Sequence, residues 1–87
     1  MNQSIIFSEL VTWVPQSQVF EVSAMTTLGE VVCRVSNERL KQLSQETPWR
    51  EEEWLDCFER HRFDIEELLA AKIVEQDFAE DESIYLY

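Results

Sequence analysis

Cys57 and His61, the latter the only histidine of the chain, stand four positions apart. On a helix that spacing puts a thiol and an imidazole on one face, a turn from each other. Both are donors that zinc favours, and a hairpin carrying Cys33 over the helix would supply a third. A closed structural zinc site takes four ligands, and the sequence has neither a Cys-x-x-Cys knuckle nor a His-Glu-x-x-His helix. Read as nucleophile and base, the pair has nothing identifiable to orient the imidazole or hold an oxyanion. A metal- or thiol-dependent enzyme centred on Cys57 and His61, with Cys33 as third ligand, is thus the alternative reading. The default is two free thiols that fill the core in a reducing cytoplasm. No cofactor is expected. One glycine leaves no loop to cradle phosphate, and the tail acids lack the oxygen-ligand pattern of a calcium loop.

Charge is the second chemical feature. Of 87 residues, 18 are acidic and 7 basic, for a formal charge of −11. Residues 1–50 hold five acids and four bases, whereas residues 51–87 hold 13 acids and three bases, so −10 belongs to the second half. Such charge opposes direct binding to nucleic acid or anionic lipid. No apolar run reaches the roughly 18 residues needed to cross a membrane.

Glu52, Asp56, Glu59 and Glu66 fall at steps of four, three and seven, on one helical face. Arg60 is placed to answer Asp56, and Arg62 to answer Glu59. The simplest reading of this stripe is a solvated face. The sharper one is a docking surface for a basic partner, made of Glu52, Asp56, Glu59, His61, Arg62 and Glu66. Within it, His61-Arg62-Phe63-Asp64 reads first as local structure: Asp64 capping, Phe63 packed and Arg62 paired. Otherwise the guanidinium would recognise a carboxylate or phosphate.

The elements that must position these groups follow from periodicity. Val19 to Met25 alternates, with Phe20, Val22 and Ala24 on one face, and Glu30 to Val35 alternates with Val31, Cys33 and Val35 together. Thr26-Thr27-Leu28-Gly29 between them predicts a hairpin. Ile5–Phe7 and Val11–Val14 are shorter β-prone pieces, one of them a third strand, with Pro15 ending the second. Ser36 or Asn37 caps a short helix through Leu43, with Leu40 and Leu43 inward. Thr47-Pro48 opens the next helix.

Leu55, Phe58, Arg62, Ile65, Leu69 and Ile73 then recur at helical steps, bordered by Trp54, His61 and Leu68. The capping spacing of Asp64 and Glu67 predicts a break near Phe63 and thus two helical segments. Ser83 to Tyr87 reads as a short strand docking on the sheet edge. The whole, residues 1–87, is one small two-layer α+β domain: a hairpin or three-stranded antiparallel sheet against C-terminal helices. The start carries no basic stretch followed by a long apolar run, so no secretory signal is expected.

Trp54-Leu55-x-x-Phe58-x-x-His61-Arg62-Phe63-Asp64-x-Glu66-Glu67 resembles the core of the YrdB-like proteins, a small bacterial family of unknown function. Met1-Asn2-Gln3, Cys33-x-Val35-Ser36 and Thr47-Pro48 match as well, so the resemblance spans essentially the whole chain. It implies a compact cytoplasmic α+β domain from a Gram-negative bacterium and carries over no catalytic or binding residue. The chain departs from the family pattern at Phe63, where a Trp would stand, and at Cys57, where a small hydroxyl residue would. That second departure weakens a metal or thiol role for Cys57.

The leading expectation is a small acidic interaction or regulatory module that docks through its helical face. A transcription-related regulator acting through a protein partner is a further one. Its nearly neutral β half would also allow weak homodimerisation through a sheet edge.

Overall fold

The computed structural model describes residues 5–87, so the Met1-Asn2-Gln3 match lies outside the described residues. Strands β2 (Val19–Thr26) and β3 (Gly29–Ser36) form the expected hairpin, antiparallel from Val19↔Ser36 to Thr26↔Gly29. Phe20, Val22 and Ala24, with Val31, Cys33 and Val35 opposite, are buried on its covered face, as a period of two requires. Gly29, at φ +118°, occupies backbone that an L side chain rarely adopts. The Thr26 hydroxyl closes the turn by donating to the Gly29 carbonyl (2.8 Å) and accepting from the Leu28 N–H (3.0 Å).

Where the sequence suggests two short pieces, there is one strand, β1 (Ile6–Val14), antiparallel to β2 and ending before Pro15. Its register slips between Phe7↔Ala24 and Val11↔Val22, so that Ser8, Glu9 and Leu10 stand opposite Ser23 alone. A regular strand would align Glu9 with Phe7 and Val11 on the covered face. The bulge expels that carboxylate while keeping Phe7 and Val11 inward. The break in the apolar pattern is therefore a bulge and not a strand end.

Strand β4 (Ile84–Leu86) is the expected C-terminal strand, three residues long and parallel to β3, completing the order β1-β2-β3-β4. Arg34 of β3 ties it down. Its Nε meets Glu21 at 2.9 Å, its Nη1 meets Asp81 at 3.1 Å and Ser83 Oγ at 2.9 Å, and its guanidinium lies 5.5 Å from the Tyr85 ring centroid.

Among the described residues, three helices cover one face of the sheet. Helix α1 (Asn37–Ser44) begins as expected, with the Ser36 hydroxyl accepting from the Arg39 N–H at 3.1 Å. Helix α2 (Glu51–Arg60) begins three residues after the expected Pro48. The Glu53 carboxylate accepts from the N–H groups of Trp49 (2.9 Å) and Arg50 (3.4 Å), which moves the start to Glu51. Arg50 has no acceptor to complete a reciprocal capping box.

The break before α3 (Arg62–Val74) falls at His61, two residues ahead of Phe63. His61 adopts φ −110° and ψ 15°, and its N–H is shared between the carbonyls of Cys57 (3.2 Å) and Phe58 (3.1 Å). Asp64 is no cap; it sits in the first turn of α3, where the helix dipole favours an anion. Phe63, expected to pack, is 75% exposed.

The break also rotates the buried stripe. Helix α2 buries Trp54, Cys57 and Phe58, so Trp54 joins the core instead of bordering it, and α3 buries Ile65, Leu69 and Ile73. Trp13 stacks on Trp54 (ring centroids 5.9 Å apart, planes 10° apart), and Phe20 touches Trp13, Trp54 and Phe58. These contacts lock α2 to the sheet and fix the direction of its outer face. The result is the expected two-layer α+β domain. Among the described residues, no helix is long and apolar enough to cross a membrane.

Candidate functional site

Chemistry-bearing side chains gather on both sides of the His61 break. On one side is a cleft of about 220 Å³ between the loop after α1 and the outer face of α2, lined by Glu46, Thr47, Pro48, Glu53, Asp56 and Arg60. Gln45 ends α1 in the left-handed conformation (φ 58°), and the Glu46 N–H then donates to Ser44 Oγ at 3.1 Å. This turn aims Glu46 at α2. Its carboxylate takes the Arg60 guanidinium with both oxygens, at 2.6 and 3.0 Å, and lies 3.4 Å from His61 Nε2. Arg60 therefore answers Glu46 and not Asp56. The guanidinium holds the Glu46 carboxyl below its ordinary range.

Cys57 lies beneath this pair. Its sulfur, one carboxylate oxygen of Glu46 and one ring nitrogen of His61 all fall within 4.8 Å of one another. Cys57 is fully buried, and burial is the main cause that pushes its thiol up, while the Ser44 hydroxyl pulls the other way. Cys33 is not part of the group. It sits mid-sheet, paired to Val22 and Ile84, and burial pushes its thiol to about 12. The third donor beside Cys57 and His61 is Glu46, fifteen residues from His61 and on another element. Nothing in the spacing signals it. Both cysteines are free.

On the other side stands Arg62. Its Nε binds Glu66 at 2.6 Å and its Nη1 binds Glu59 at 3.0 Å. The same guanidinium reaches the β1 bulge, where Nη1 donates to the Glu9 carbonyl (3.2 Å) and Nη2 to the Ser8 carbonyl. Burial opposes the Arg62 charge, but Glu66 and Glu59 more than offset it and raise its pKa. Arg62 thus fills its fork with internal acceptors, two of them carbonyls of the β1 bulge.

Of the six residues assigned to a docking surface, Glu52 and Asp56 are exposed on α2. Glu59 and Glu66 are engaged with Arg62, and His61 is half-buried beside Glu46. The stripe is therefore split by the break. What the spacing missed is Trp49, 91% exposed immediately ahead of α2 and its first-turn acids Glu51, Glu52 and Glu53.

The fold and these two junctions define a class: a small two-layer α+β domain whose helices meet at a kinked histidine over a bulged edge strand. A family model described as "Protein of unknown function (DUF1488)" matches residues 5–86, and the chain belongs to this family. It is 32% identical over 77 residues to "Uncharacterized protein YrdB" of Escherichia coli (strain K12), covering 87% of each chain. It is also similar to the crystal structure of a protein of unknown function from the same family, from Shewanella loihica PV-4. That match has a TM-score of 0.90 and 34% identity over 99% of this chain and 94% of the other. The resemblance read from the Trp54–Glu67 pattern is borne out, and with it the fold.

Proposed function

We propose that this chain is a small acidic interaction module of the cytoplasm that binds a basic protein segment through the outer face of α2. The observation that carries the reading is where the cations go. Arg60 is turned onto Glu46, and Arg62 onto Glu59, Glu66 and β1. Asp56 has no ion-pair partner among the described residues, and Glu52 only the exposed Arg50 at 3.7 Å. Uncompensated carboxylates therefore stand in solvent beside an exposed indole, a combination that steers and then anchors a cationic chain.

A lysine-rich peptide titrated into isotopically labelled protein tests this by NMR. The amide shifts should cluster on Glu51–Asp56 and the Trp49 indole, and they should fade as salt shortens the Debye length. Neutralising Glu51, Glu52 and Asp56 to Gln, Gln and Asn should weaken binding more than neutralising Glu75, Glu80 and Glu82 to Gln. Equal losses in the two triple variants would mean that net charge alone binds the peptide, and the site would be refuted.

A further inference from the structure

Beside and beneath the cleft at α2 lies chemistry that docking does not use. We propose that Glu46, Cys57 and His61 form a binding site for a divalent transition-metal ion of zinc-like preference, its fourth position opening into the cleft beyond Glu46. Three observations converge on it. The donors are a sulfur, an imidazole nitrogen and a carboxylate oxygen, the set that borderline-soft zinc accepts and that magnesium or calcium does not.

Cys57 and His61 stand one turn apart at the end of α2, and Glu46 is brought to them from the loop after α1, all three donors within 4.8 Å. Ligands bound to one tetrahedral zinc at about 2.0–2.3 Å stand about 3.5 Å apart, so the 4.8 Å spread must contract on binding. The adjoining cleft adds Glu53 and Asp56, so the local field favours a cation.

A cation already sits on the carboxylate. Arg60 grips both oxygens of Glu46, including the oxygen 3.4 Å from His61 Nε2. The guanidinium is an internal substitute that the metal must displace from at least one oxygen. Binding also expels one proton: the Cys57 thiol loses its hydrogen to solvent and coordinates as thiolate.

Cobalt(II) is the probe, because a cobalt–thiolate bond gives a charge-transfer absorption that oxygen and nitrogen ligands do not. The tag-free chain is titrated with cobalt, and zinc is then added in competition. The expected result is one equivalent bound, a thiolate band displaced by zinc, and about one proton released per metal. Cys57→Ser should abolish the band, while Glu46→Gln and His61→Asn should weaken binding about tenfold or more. Glu46 and His61 lie at the rim and not in the core, so these two variants keep the test valid should Cys57→Ser misfold. Cys33→Ala should retain the band. A wild-type chain with no thiolate band at saturating cobalt would overturn the proposal. So would an undiminished band in both Glu46→Gln and His61→Asn.

Discussion

Arg60 and Arg62 flank the same kinked histidine, yet their surroundings differ in kind. Arg62 has a side chain only 16% exposed and divides its fork among two carboxylates and two backbone carbonyls of a bulged strand. Arg60 is 52% exposed and gives its whole fork to one carboxylate in an open cleft. The first junction ties the bulge carbonyls and two acids of different turns to one half-buried cation. The second holds a carboxylate that water could hold as well. Two arginines in one sequence motif therefore do different work: one joins layers, the other guards a site.

The largest effect should follow from Arg62→Ala. It strands the Ser8 and Glu9 carbonyls together with Glu66, and hydrogen bonds to a charged group contribute about 1.5–3 kcal/mol. We expect a loss of about 2–3 kcal/mol, or roughly 10–20 °C in thermal midpoint for a domain of this size. Arg62→Lys should recover only a small part, because an ammonium cannot fork across four acceptors. Amide exchange should speed up first at Ser8–Leu10. A variant as stable as the parent would remove the distinction between the two junctions.

That distinction was only partly legible in the sequence. The hairpin, the order of elements and the short C-terminal strand were readable because alternation and one glycine encode them locally. The Arg62–Glu59 pair was readable for the same reason, as a contact between residues three apart on one element. The Glu9 bulge was not, since expelling one carboxylate looks the same in sequence as ending a strand. Glu46 was invisible beside Cys57 and His61, because a left-handed Gln45, unmarked by glycine or asparagine, turns it there. The late start of α2 was hidden in the same way: Thr47-Pro48 carries every local signal for a start, and Glu53 overrides it from within the helix.

The contrast extends to the two thiols and predicts a smaller effect. Cys33 is sealed mid-sheet and Cys57 sits under the cleft. The Cys33 thiol is raised from 9.0 to about 12 by burial, so its neutral form is favoured in the folded state. Its stabilising contribution is complete below 9.0 and is lost as pH rises toward 12. Urea midpoints measured on either side of 9.0 should fall with alkalinity, and Cys33→Ala should blunt that fall. In the native protein at neutral pH an alkylating reagent should reach Cys57 before Cys33. Equal reactivity would place both thiols in one environment and undo the comparison.

The smallest stability effect belongs to Arg60→Ala, and there the two junctions separate most sharply. An exposed pair is screened and adds little to folding, so the thermal midpoint should barely move where Arg62→Ala shifts it strongly. The pH dependence carries the sign. Arg60 lowers the Glu46 pKa, so what the pair contributes is present above the ordinary carboxylate range and is lost as acid protonates Glu46. The wild-type and Arg60→Ala stabilities should therefore converge as pH falls. Metal affinity should move the other way: with its internal cation gone, Glu46 is free for cobalt, and the variant should bind more tightly than the parent. A variant that is strongly destabilised and binds cobalt no better would make Arg60 a second Arg62, and the cleft would be a brace like the bulge.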